Sequence, residues 1–252
     1  MTPELSVVVP ILGYDSIATF MQTLQVAWSD SIEVIILDST PFGKRQDTVN
    51  YDESGKSTII RAIIDPPINF YQTLNMGLKM ARGEHIVLSH DDVLFGYKSL
   101  KHCVDAINKF ELPCVYPRST FGPALLERFA IEGKTTSENP LELGDEMLEY
   151  YSFCLVIESD IFDFFGYFDD QFEMYCGDRD YRYRLIQEGY PPRMVNNALV
   201  HHFEGRTIRT LQSSGKDFSA IEKSDKSKFK SKWGHVNAKQ LIREMRKRNA
   251  DH

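Results

Sequence analysis

Asp91 and Asp92 stand together directly after a short apolar run, His85 to Leu88. Adjacent carboxylates at a strand's end are hard oxygen donors, suited to Mg²⁺ or Mn²⁺ already partly held by a diphosphate. Three other places carry comparable chemistry: Asp38, the Asp178-Arg179-Asp180 triplet, and the His201-His202 pair. Each has a plainer reading. An Asp before a helix often only caps it, and Asp91 and Asp92 precede a helical pattern over Lys98 to Lys109. A His pair is more often structural than a ligand. Their order is less easily dismissed, because each follows a successive predicted strand, and open α/β sheets bind ligands beyond the carboxyl ends of their strands.

The elements that must position these residues follow from periodicity. Leu5 to Val9 is a β-branched run fit for an interior parallel strand. Asp15 or Ser16 can cap a helix carrying Ile17, Phe20, Met21 and Leu24 on one face. Glu33 to Leu37 is a second strand, closing a right-handed βαβ unit. Thr58 to Ile64 is a third strand. A helix over about Tyr71 to Arg82 is expected to end at Gly83 with a positive-φ cap. The strand at His85 follows. Beyond the Asp pair the pattern predicts a helix over Tyr97 to Lys109 and strands over Pro113 to Pro117 and Ser152 to Glu158. A short helix over Asp160 to Phe165, a helix over Asp178 to Glu188 capped by Gly189, and a strand over Arg193 to Val200 complete the series. Arg118 to Glu149 is weakly periodic and reads as an insertion or acceptor-facing segment.

The totals bound the answer. A chain of 252 residues buries a substantial core without staples. Its 4 cysteines lack CxxC or zinc spacing, which implies reduced thiols in a reducing compartment. Without signal-peptide features or a long apolar run, a soluble, cytoplasmic protein is expected, at most peripheral to a membrane. No GxGxxG or GxxxxGK[ST] phosphate loop occurs, which argues against dinucleotide oxidoreductases and P-loop enzymes. The net charge of −7 is uneven. Arg206 to Arg248 holds 13 basic and 4 acidic residues, leaving 16 and 32 elsewhere. Such a basic tail implies an anionic partner, a membrane surface or DNA, unless it folds back on the acidic body. Ala238, Leu241, Ile242 and Met245 give that tail an apolar docking face.

The segments SVVVP, EVIILDST, NMGLKMARGEHIVLSHDDV, GYFDDQFEMYCGDRDYRYRLIQEGY and VHHFEG together resemble a family 2 inverting glycosyltransferase of the GT-A fold, over about Leu5 to Gly205. A downstream KFKSKWG resembles a pattern of some bacterial-type members. The resemblance implies a mixed, mostly parallel sheet flanked by helices. Residues 1–110 would bind a nucleotide-sugar donor and 111–205 the acceptor, with 206–252 a helical extension. It implies Pro10 and Ile11 beside the nucleotide base, Asp38 bonded to that base, and Asn75 and Asp91 on the donor. Asp91 and His201 would hold Mn²⁺ or Mg²⁺, and Asp178 would be the general base. Tyr175, Arg179 and Asp180 fall on the acceptor side. UDP is the favoured nucleotide, and a hydroxyl on a glycan or other polymer the favoured acceptor. Two positions depart from the pattern: Ser89 stands for the first acid of DxD, and Gly177 for the glutamate before the base. Two alternatives stay open, a transferase acting on modified DNA bases and a non-catalytic nucleotide-sugar-binding scaffold; a homodimer through the tail is a further expectation.

Overall fold

The computed structural model describes residues 2–13, 15–45, 57–65, 68–121, 140–146, 153–203 and 217–250. Most of the segment expected as an insertion, and the start of the basic tail, lie outside them. The chain opens as β1 (Leu5–Ile11), α1 (Ile17–Ala27), β2 (Glu33–Asp38), β3 (Thr58–Ile63), α2 (Phe70–Met80) and β4 (His85–Ser89). β3, β2, β1 and β4 lie side by side and pair in parallel. β1, β2 and β4 are buried along nearly their whole length, as continuous apolar runs require in a sheet covered on both faces.

The second half continues with β5 (Val93–Phe95), α3 (Ser99–Phe110), β6 (Cys114–Phe121), β7 (Leu143–Glu146), β8 (Cys154–Glu158), α4 (Ile161–Phe165), α5 (Gly177–Gln187) and β9 (Arg193–His202). The sheet has nine strands, in the order β3-β2-β1-β4-β8-β6-β9-β5, with β7 also paired to β9. Its first four strands are parallel, while β8 joins β4 and β6 antiparallel and β6 joins β9 in parallel. One apolar cluster fills each face. α1 and α3 cover one, through Phe20, Leu24, Leu100 and Ile107. α2, α5 and the C-terminal helices cover the other, through Leu74, Tyr181, Ile186 and Leu241.

Several local expectations change. Between the Asp pair and α3 lies β5, so neither Asp91 nor Asp92 caps that helix; its N-cap position is Lys98, at φ 54°. Gly83 is not a positive-φ cap. α2 ends at Ala81 in extended conformation. A Cβ on Gly83 would lie 2.5 Å from the Ser6 backbone nitrogen, so close approach of β1 demands the glycine. Ser16 sits at the N-cap of α1 without capping it, because its hydroxyl is used elsewhere. Gly189, at φ 96°, does follow the end of α5.

The tail forms α6 (Phe218–Trp233) and α7 (Ala238–Ala250). Ala238, Leu241, Ile242 and Met245 are buried in the same cluster as Tyr183 and Ile186 of α5. The described part of the extension therefore folds back on the body, as its apolar spacing requires. Among the described residues no helix is long and apolar enough to cross a membrane.

Candidate active site at the carboxyl edge of the sheet

Parallel pairing brings the ends of β1, β2 and β4 to one edge. Ile11 pairs with Asp38, and the Ser39 N–H donates to the Ile11 carbonyl. β4 delivers Ser89 and the turn His90-Asp91-Asp92 to the same edge. β9 ends beside that turn, because Val93 of β5 pairs with His202, and the Phe203 N–H donates to the Asp92 carbonyl.

His90, Asp92 and His202 form a cluster whose ligating atoms all lie within 4.8 Å of one another. Asp92 is buried, and its Oδ1 lies 3.1 Å from Nε2 of His202. The His202 ring is stacked on Phe153 at 4.3 Å, which fixes its plane. Burial, with a smaller contribution from His202, pushes His90 down to about 4, so its imidazole is neutral near pH 7 with a lone pair to offer. Burial raises the Asp92 carboxyl, but its hydrogen bond and attraction to His202 outweigh that and hold it below the ordinary range. Two imidazoles and a carboxylate are a fitting donor set for a divalent transition metal.

Asp178 stands in the first turn of α5, behind Cys176 at φ 68°. It lines a pocket with Phe70, Tyr71, Leu88, Ser89, His90 and Phe168. His90 thus belongs to both the pocket and the metal-competent cluster. An acid that can take a proton lines one small pocket with His90, a member of a set that could hold a cation.

The other candidates divide. Asp91 is outside the cluster; its Oδ2 accepts a 2.5 Å bond from Ser16. His201 is fully buried, with Nδ1 2.9 Å from the Thr120 hydroxyl. On a strand, neighbouring side chains point to opposite faces, so only one His of the pair reaches Asp92. Among the described residues, the set that could hold a metal ion is offset by one residue from the expected pair, Asp91 with His201, at each end, with His90 added. Asp38 is buried; Arg61 donates to Oδ2 through Nε and Nη2, and the Thr40 N–H to Oδ1, so its carboxylate is used internally. Pro10 and Ile11 lie beside it at the end of β1. Asn75 is a brace: its amide donates to the Phe168 carbonyl and accepts from the Phe168 N–H.

On the acceptor side, Asp180 is fully buried and accepts from Trp233 Nε1 and Arg184 Nε, with Lys232 Nζ at 2.7 Å. It holds α6 rather than facing a ligand. Arg184 also donates to the carbonyls of Phe165 and Tyr167, so it pairs internally. Arg179 is exposed and lies 5.3 Å over the Phe229 ring. The Tyr175 N–H is bound by Asp225. Sequence reasoning raised Asp92 and His202 only as members of the Asp91-Asp92 and His201-His202 pairs and assigned the metal to their neighbours; it gave His90 and Tyr71 no role. The motif was located, and the facing of its side chains was not.

No family model and no curated protein matches this chain. Solved structures do. The mannosyltransferase PcManGT of Pyrobaculum calidifontis, determined with GDP-mannose and Mn²⁺, has a TM-score of 0.58 at 12% identity, covering 100% of this chain and 75% of its own. GalNAc-T7, determined with UDP, GalNAc and Mn²⁺, scores 0.62 at 14% identity, over 98% and 57%. TarS 1–349 of S. aureus scores 0.56 at 10% identity, over 88% and 69%. With the strand order and paired halves described above, these likenesses establish that the chain has the GT-A fold of glycosyltransferases.

Proposed function

We propose that this protein is a metal-dependent glycosyltransferase that moves a sugar from a nucleotide diphosphate to an acceptor hydroxyl with inversion. The observation that carries the reading is the shared pocket: Asp178 and His90 line it together, and His90 belongs to the His90–Asp92–His202 cluster. Asp178 accepts the proton of the acceptor hydroxyl as that oxygen attacks the anomeric carbon. His90, Asp92 and His202 would hold a divalent ion, which when bound would supply positive charge beside the departing diphosphate. Two imidazoles favour Mn²⁺ over Mg²⁺, which prefers an all-oxygen shell. PcManGT and GalNAc-T7 were both determined with Mn²⁺. UDP is the first nucleotide to test, since TarS 1–349 was determined with UDP-GlcNAc and GalNAc-T7 with UDP.

The acceptor is a hydroxyl on a glycan or other polymer. On the solvent side of α7, Lys239, Arg243, Arg246 and Lys247 are exposed, which suits an anionic partner. A thermal-shift panel of UDP- and GDP-sugars, with Mn²⁺ or Mg²⁺, tests the whole reading. Specific binding stabilises by RT ln(1 + [L]/Kd), about 2.7 kcal/mol at a hundredfold excess over Kd. One donor should raise Tm with Mn²⁺ and do so less with Mg²⁺. A panel in which no nucleotide-sugar raises Tm with Mn²⁺ overturns the proposal.

A further inference from the structure

Gly177 occupies the place where the family pattern carries a glutamate, and the structure contains a physical reason. The Tyr71 ring lies against its Cα: a Cβ there would come within 2.6 Å of Cε2 and Cζ. No side chain fits at 177 while Tyr71 keeps its position. The Tyr71 hydroxyl accepts the Asp178 N–H at 3.1 Å and lies 3.4 Å from Asp178 Oδ1 as donor. Tyr71 is buried, wedged against Phe168 at a centroid distance of 5.7 Å. Burial, then the nearby Asp178 charge, holds the phenol well above its ordinary range, so it stays a proton donor at neutral pH.

Tyr71 is also held firmly. It lies in the first turn of α2, behind a capping box in which Asn69 accepts the Gln72 N–H at 2.7 Å. That end of α2 is stitched to the segment leading into α5. The Phe70 N–H donates to the Glu173 carbonyl, Asn69 Nδ2 to the Asp170 carbonyl, and Asn75 bonds Phe168 in both directions. α2 and the Asp178 turn are therefore one mechanical unit, with the phenol at its contact point.

We propose that Tyr71 is a positioning residue that sets the orientation and proton affinity of Asp178, and that Gly177 is glycine so that the phenol can reach it. The role in catalysis rests on the glycosyltransferase reading; the coupling between the two side chains does not. A tyrosine hydroxyl bonded to a carboxylate favours the charged form. Removing it leaves Asp178 a stronger base but a less oriented one.

The test is a carboxyl ¹³C NMR titration of the full chain, with the Asp178 signal assigned by its loss in Asp178→Asn. Tyr71→Phe should raise the Asp178 midpoint by roughly half a pH unit or more. Gly177→Ala, which displaces the ring, should raise it too. The double variant should shift it less than the sum of the two, because both break one contact. An unchanged midpoint in Tyr71→Phe overturns the proposal whether or not the chain is active. Nucleotide release from UDP- and GDP-sugars with Mn²⁺ is measured in parallel. Where the wild type turns over, Tyr71→Phe should lower kcat by on the order of tenfold, leave the donor KM unchanged, and move the acid limb of the pH profile upward. An unchanged kcat overturns the catalytic role. A wild type that releases nucleotide from no donor ends the glycosyltransferase reading, and the titration still decides the Tyr71–Asp178 coupling.

Discussion

Asp178 and Asp180 are two residues apart on α5 and face opposite ways, since two helical steps turn the chain by about 200°. Asp178 looks into the pocket beside Tyr71 and His90. Asp180 looks toward the C-terminal helices, where Trp233, Lys232 and Arg184 meet it. A second buried carboxylate completes that side. Asp225 of α6 accepts the N–H groups of Glu173, Met174 and Tyr175, with Lys228 Nζ at 2.9 Å. One face of α5 thus carries a half-buried carboxylate that lines a small pocket and accepts the Arg179 N–H at 2.8 Å, and the other carries Asp180, held by side-chain donors from the C-terminal helices and α5 itself. Buried charges saturated by donors fix geometry. The C-terminal helices are in this sense part of the site's foundation: Asp225 grips the residues just before Asp178.

Substitutions on the two faces should separate cleanly. Asp178→Asn should cost about 10²–10⁴-fold in kcat while Tm stays near wild type, measured by nucleotide release and thermal denaturation. Asp225→Ala should do the reverse in kind. It leaves three partly buried main-chain N–H groups without their acceptor and removes the charge paired with Lys228, and should cost about 3–5 kcal/mol of unfolding free energy in urea. If Asp225→Ala were stable and fully active, the tail would not be a foundation.

The His90–Asp92–His202 cluster offers a sharper contrast between neighbours. His202→Ala should weaken Mn²⁺ binding by at least about tenfold, read by Mn²⁺ electron paramagnetic resonance, while His201→Ala should leave the affinity unchanged. The reverse pattern would restore the expectation from the motif and displace the cluster.

Acid should loosen the tail side specifically. Burial raises the Asp225 carboxyl, but the N–H groups of Met174, Tyr175 and Glu173 and the Lys228 ammonium hold it below the ordinary range. Its stabilisation is complete above the unfolded aspartate value of about 3.9 and is lost as pH falls through the lower folded value. Wild type should lose stability below about pH 4, and Asp225→Asn should flatten that dependence in urea denaturation. The smallest effect belongs to Lys232→Met. Lys232 bridges Asp169 and Asp180, but its side chain is 33% exposed, and the change should cost under about 1 kcal/mol.

Much of the scaffold was legible. β1, β2 and β4 are apolar runs that only a doubly covered sheet accommodates, and the 3–4 spacing from Ala238 to Met245 announced a docked helix. β5 escaped notice because three residues carry too little periodicity to register. Gly83 and Gly177 were visible as glycines, but the atoms that demand them, the β1 backbone and the Tyr71 ring, arrive from distant parts of the chain.

Local composition by itself determined that acids and histidines gather at strand ends, and that the tail carries a buried stripe opposite a basic one. Which member of each adjacent pair faces the cluster was left to tertiary structure. Asp92 rather than Asp91, and His202 rather than His201, join the set of side chains that could hold a metal ion because of the direction each takes. That direction depends on strand register and helix phase, and these become fixed only when the sheet and its helices come together.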